Sequence, residues 1–94
     1  MAEYKLSRVA REDLIRIHQY GTMRFGETQA LYIDSFFEHF ELIAQRPHAF
    51  ESVDFIREGY RRCVCGSDSI YYRLKNDTVE IMTIIGSQDT NKIF

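Results

Sequence analysis

The 94 residues read as one α+β domain in the order β-α-α-β-β-β, a helical hairpin packed on an antiparallel sheet, followed by a C-terminal tail. Three observations predict it. Two consecutive stretches carry apolar residues at helical spacing, three later segments have strand character, and turn formers separate those segments closely. Apolar residues make up 45% of the chain and only one residue is proline. At this length such a composition fills one hydrophobic core and leaves no room for a second. Disorder would need low hydrophobicity with a high net charge, and the net charge is −2. No internal repeat, low-complexity run or linker interrupts the chain.

Glu3-Tyr4-Lys5-Leu6 is short, alternating and aromatic, which predicts an opening strand. Ser7 has the character of an N-cap, and Glu12 and Asp13 follow early in a helix, where carboxylates suit the positive end of the macrodipole. Ala10, Leu14, Ile17 and Gly21 mark one face of that helix. Gly26, directly after Phe25, is its expected stop, because glycine accepts the left-handed conformation at a helix end. The second helix spans residues 28–45 and ends before Pro47. Its residues Ala30, Ile33, Phe37, Phe40 and Ala44 follow a 3-4-3-4 spacing, the seam expected between two antiparallel helices. Tyr32, Phe36 and Ile43 form a second apolar stripe, expected to pack on the sheet.

Residues 48–54 read as a loop, and residues 55–65, 69–74 and 79–85 as strands. Gly66-Ser67-Asp68 and Lys75-Asn76-Asp77-Thr78 supply the two turns. Connections this short allow only an antiparallel meander. The tail is polar until Ile93 and Phe94, an ending that suggests docking on the body or on a partner.

Charge is distributed unevenly. Residues 57–75 hold Arg57, Arg61, Arg62, Arg73 and Lys75 against Glu58 and Asp68, a local net charge of +3 inside an acidic protein. Such a band is where an anionic or acidic partner would dock. Arginine offers carboxylates and phosphates a planar fork, and Tyr60, Tyr71 and Tyr72 add flat surfaces for contact. Strand alternation divides the band, however. Tyr60 and Arg62 face one way, Arg61, Cys63 and Cys65 the other, and Tyr72 shares a face with Ile70 and Leu74.

Several function classes are set aside. A net charge of −2 and a pI near 5.9 argue against sequence-independent nucleic-acid binding. No apolar run is long enough to span a bilayer, and MAEYKLS has no apolar signal region, so the expected compartment is the cytoplasm. Cys63-x-Cys65 has no second ligand pair at zinc spacing, and same-face neighbours on one strand lie about 6.5–7 Å apart, beyond comfortable disulfide reach. Both read as reduced core thiols. No histidine lies on the strand segments to serve a nucleophile, and the five glycines build no phosphate-binding loop, so no cofactor is expected.

Together, Asp13-Leu14 with Ile17 and Tyr20, Phe25-Gly26, Gln29-Ala30, Ile56-Arg57-Glu58-Gly59-Tyr60-Arg61, Ile70-Tyr71-Tyr72-Arg73 and Asp89 before Ile93-Phe94 carry a resemblance. In order and spacing the chain resembles the ParE toxins of the RelE/ParE toxin–antitoxin superfamily over nearly its whole length. The resemblance implies a type II toxin that inhibits DNA gyrase and is neutralised by a ParD-like antitoxin with a ribbon-helix-helix domain. The two would form a hetero-oligomer that meets operator DNA only through the antitoxin. Contacts with antitoxin or target would fall to Arg57, Arg61, Arg62, Tyr71, Arg73, Asp89, Ile93 and Phe94.

RelE-like relatives cut mRNA instead, and Arg61, Arg62 and Arg73 would be the cations for that chemistry. They combine basic strands with a Tyr or His near the C-terminus, and residues 86–94 hold neither. The gyrase-directed reading is therefore preferred to a ribonuclease. A third reading is a degenerate toxin that only binds its antitoxin. The chain departs from the ParE pattern where Asp68 replaces a turn histidine, and where Thr83-Ile84-Ile85-Gly86 replaces Arg-Ile-Leu-His.

Overall fold

The computed structural model describes residues 3–25 and 28–86. Gly26 and the tail residues Asp89, Ile93 and Phe94 lie outside the described residues. The elements are β1 (Glu3–Leu6), α1 (Arg8–Phe25), α2 (Thr28–Gln45), β2 (Glu51–Ser52), β3 (Tyr60–Cys65), β4 (Asp68–Lys75) and β5 (Thr78–Gly86). The strands form one sheet in the order β1-β5-β4-β3-β2. The α+β class holds, with two helices on a five-stranded mixed sheet.

Three details depart from the sequence reading. β1 pairs in parallel with β5, so the sheet is an antiparallel meander with a parallel edge. Within the expected loop, Glu51 and Ser52 pair with Arg62 and Arg61 as a short extra strand. Residues 55–59 are a turn rather than strand, since the Ile56 and Arg57 amides both donate to the Val53 carbonyl. The Gly59 amide donates to Asp54 Oδ1, and Gly59 itself takes φ 83°, which glycine adopts without strain. The alternating Phe55-Ile56 start mimicked a strand, but this loop chemistry governs.

Tight turns set the meander. Cys65 pairs with Asp68, leaving Gly66 and Ser67 as a two-residue loop with Gly66 at φ 62°. Lys75 pairs with Thr78 around Asn76 and Asp77, both at positive φ, the signature of a type I′ turn. Between Tyr71 and Tyr72 the register slips, so that Tyr71 faces Thr83 and Tyr72 faces Ile81. The bulge residue is Met82. It shifts the phase of β5, so Val79, Ile81 and Ile84 all reach the core under the helices.

That core joins Ala10, Leu14, Phe36, Phe40 and Ile43 to Cys63, Cys65, Ile70 and Tyr72. The Tyr32–Phe36–Ile43 stripe does pack on the sheet: Phe36 and Ile43 are fully buried, and Tyr32 packs against the cluster. Phe37 departs from its expected seam position and is 42% exposed. Turning Phe36, Phe40 and Ile43 inward rotates the next residue about 100° away. Cys63 and Cys65 are buried free thiols, as read.

The cap at Ser7 forms as expected. Its hydroxyl accepts from the Ala10 amide at 3.0 Å and donates to the Met82 carbonyl at 2.8 Å. Asp13 does something the dipole reading missed. It is buried in the second helical turn, where one carboxylate oxygen accepts from Thr83 Oγ1 (2.7 Å) and the Ile84 amide (3.0 Å). Asp13→Ala strands both donors, so stability should fall by about 2–4 kcal/mol in urea titration. Arg16→Ala, which removes only the half-exposed partner of Asp13, should cost under about 1 kcal/mol.

Candidate functional site

The sheet carries the residues singled out by sequence, and the fold separates them. Arg61 lies opposite Tyr72, on the helix-facing side, where its Nη1 donates to the Phe50 carbonyl at 2.6 Å. Tyr72 is core, its hydroxyl donating to the Pro47 carbonyl and its pKa pushed up to about 12 by burial. Arg62 and Tyr71 are cross-strand partners, and Tyr60 pairs likewise with Arg73. Tyr60 and Tyr71 sit in a second apolar cluster with Val53 and Ile85, distinct from the core under the helices. Arg57 comes from the preceding loop, its guanidinium 5.6 Å from the Tyr60 ring centre. Of the sequence-selected residues, Arg62, Tyr71 and Arg73 thus share one neighbourhood with Arg57, while Arg61 belongs to another.

The expected positive band is largely compensated. Glu51 and Glu80 lie outside the 57–75 window but are brought to it by strand pairing. Arg62 Nε donates to Glu51 Oε1 at 2.5 Å, and this bond chiefly raises the arginine pKa further. Arg73 Nε donates to Glu80 Oε1 at 2.8 Å, with Lys5 Nζ 3.5 Å from the other oxygen. The Arg73 hydrogen bond holds the Glu80 carboxyl below its usual range, against an opposing effect of burial. The net +3 of the window is therefore a property of the sequence more than of the surface.

A contact unnoticed in the sequence fixes the β3–β4 turn. The Tyr32 hydroxyl donates to Asp68 Oδ2 at 2.5 Å and lies 3.2 Å from the Cys65 carbonyl oxygen. Burial, then the Asp68 bond, pushes the Tyr32 pKa up to about 12. The ring lies so close to Gly66 that a Cβ there would meet its Cε1 at 2.6 Å. Asp68 thus ties the turn to α2. The signal was Tyr32 in an apolar stripe with a glycine turn to receive it. Nearby, burial raises Cys65 and drives Cys63 to about 11, so neither is a thiolate at neutral pH.

At the end of the sheet beyond α2, a cleft of about 270 Å³ is lined by His48, Ser52, Asp54, Gly59, Tyr60, Arg61 and Leu74. Among the described residues no three His, Cys, Asp or Glu side chains gather to hold a metal. No described helix is long and apolar enough to cross a membrane.

The lowered Glu80 pKa has a definite linkage sign. The stability it contributes is fully present above the ordinary carboxyl range and is lost as pH falls through the lowered folded value. Glu80→Gln should therefore flatten the stability–pH profile below about pH 4.5, read by urea midpoints from pH 2 to 7. The two positive-φ glycines should also differ. Gly59→Ala meets nothing within 4 Å and should cost only backbone strain of about 1–2 kcal/mol. Gly66→Ala should cost clearly more, because the Tyr32 ring must also move.

Comparison with known proteins completes the picture. Residues 4–90 match the family model described as the ParE toxin of the type II toxin–antitoxin system parDE. The chain is 37% identical over 86 residues to Toxin ParE1 of Caulobacter vibrioides, covering 90% of this chain and 88% of that protein. Among solved structures, a chain of the chromosomal ParDE system from P. aeruginosa superposes with a TM-score of 0.81 at 20% identity, covering 92% of this chain and 96% of that one. A conserved hypothetical protein from Helicobacter pylori gives a TM-score of 0.51 at 13% identity, covering 94% and 97%. These last two bear on the fold alone, whereas the family model spans almost the whole sequence. The chain belongs to the ParE family, the toxins of type II toxin–antitoxin systems.

Proposed function

We propose that this ParE-family toxin acts on DNA gyrase in the cytoplasm, blocks replication without itself being an enzyme, and is neutralised by a ParD-like ribbon-helix-helix antitoxin. The observation that carries the reading is the family match over residues 4–90. The geometry of the arginines supports it against mRNA cleavage. Phosphodiester cleavage asks several cations to converge on one phosphate beside a proton-transfer pair. Here Arg61 is on the helix side of the sheet, while Arg62 and Arg73 are held by Glu51 and Glu80. Committed to carboxylates, they suit a protein-binding face better than a phosphate clamp. The contact set proposed for antitoxin or target is Arg57, Arg61, Arg62, Tyr71 and Arg73, with Asp89, Ile93 and Phe94 from the tail. A net charge of −2 fits a toxin that leaves operator phosphates to its antitoxin within a hetero-oligomer.

Induction of the chain alone in bacteria should give filamentation, DNA-damage signalling and loss of supercoiling. Co-expression of a ParD-like ribbon-helix-helix antitoxin should restore growth. Rapid translation arrest with mRNA cleavage would overturn the gyrase reading in favour of a ribonuclease. Normal growth at verified expression would overturn it in favour of a subunit that only binds antitoxin.

A further inference from the structure

The lining of the cleft at the end of the sheet includes neither of the carboxylate-paired arginines, Arg62 and Arg73. Arg61 is its one arginine, half-buried on β3. Arg62 and Arg73 each hold a glutamate, but among the described residues no carboxylate lies within ion-pair distance of Arg61. Its hydrogen bond from Nη1 to the Phe50 carbonyl fixes the guanidinium plane and, among the described residues, leaves donors of the fork uncommitted. A guanidinium held in place by its own protein has lost its rotamer freedom before any ligand arrives. Ser52 contributes a hydroxyl to the lining, His48 an imidazole, and Leu74 an apolar wall.

The charge count favours a single negative charge as occupant. Asp54 also lines the cleft, its Oδ1 engaged by the Gly59 amide. A phosphate carrying up to two charges would face that carboxylate with one fixed cation to offset it, whereas a carboxylate matches the arginine fork one to one. Next in the chain after the lining residue Asp54 stands Phe55, an 80% exposed aromatic that offers an apolar contact one residue from the cleft. An acidic side chain flanked by an apolar one, on a peptide, meets both.

We propose that the cleft around Arg61 is an anchor site for one Asp or Glu side chain of an acidic peptide segment of a partner chain. The proposal rests on the reading of this protein as a toxin held by an antitoxin, which makes an acidic segment of that antitoxin the first partner to test. The carboxylate displaces water from the cleft, accepts from the free edge of the Arg61 guanidinium and brings its neighbour onto Phe55.

The unaltered chain, with ¹⁵N-labelled arginine, is titrated with synthetic peptides that span the acidic stretches of its cognate antitoxin. In a parallel arm it is titrated with inorganic phosphate. The Arg61 Nε resonance should shift saturably with the peptide, and at lower concentration than with phosphate. Arg61→Gln should weaken the full antitoxin about 30-fold to a few thousandfold, the range for truncating one partner of a buried charge pair. Arg61→Lys, which keeps charge but not the fork, should fall between. Changing the matching peptide carboxylate to its amide should cost the same factor, with no further loss in the Arg61→Gln chain. Peptide binding that leaves Arg61 Nε unmoved overturns the anchor while leaving the toxin–antitoxin reading intact. Failure of the unaltered chain to bind antitoxin overturns both. Phosphate shifting Arg61 at the lower concentration overturns the carboxylate in favour of a nucleic-acid backbone. Should Arg61→Gln fail to fold, the titrations of the unaltered chain decide alone.

Discussion

The junction of β1, α1 and β5 is the constraint on which the rest of the structure depends. One residue, Ser7, separates the first strand from the first helix, and it has three tasks. Its amide donates to the Ile81 carbonyl, its hydroxyl donates to the Met82 carbonyl, and the same oxygen caps the helix through Ala10. Two turns later along α1, Asp13 holds the β5 backbone at Ile84 and the hydroxyl of Thr83. These bonds straddle the Met82 bulge. A helix that could slide along β5 would let the bulge move and would turn Ile84 out of the core. A buried carboxylate with fixed donors is costly to misplace, so the bonds specify one register as well as adding stability.

From that register follows the division of the sheet into two chemically different faces. Phe36, Phe40 and Ile43 cover one face, and Tyr72 and the two thiols fill it. The other face presents Tyr60 and Tyr71 among arginines that reach their carboxylates across strands. Cross-strand pairs of opposite charge hold the pleat while keeping the field near the surface small. The face is therefore ordered, with Arg62 and Arg73 paired to carboxylates, a better base for a specific protein contact than for long-range attraction of a polyanion.

The fold was legible where periodicity reports burial. The Ser7 cap, the Tyr32–Phe36–Ile43 stripe, the buried thiols and the split of Arg61 from Arg62 all follow from spacing and alternation. What was illegible depends on distant partners. Asp13 looks like any carboxylate near a helix start, and only the arrival of β5 about 70 residues later gives it a buried role. β2 escaped notice because two residues carry too little pattern to signal a strand. Phe37 was misplaced because helix–helix and helix–sheet faces lie one residue apart on α2, and the larger sheet surface decides which turns inward.

The charge window shows the same limit in its functional form. Counting residues 57–75 gives a positive patch because sequence proximity assigns no partner to Arg62 or Arg73. Pairing brings Glu51 and Glu80 to them from either side of the window. Among the described residues Arg61 is left without such a partner, because alternation places it on the helix-facing side, away from those glutamates. There its fork is aimed by the Phe50 carbonyl at the end of the sheet, in a cleft that the turn at residues 53–59 walls off. The strand alternation that dismantles the apparent basic band is thus what leaves one arginine poised for a ligand from outside the chain.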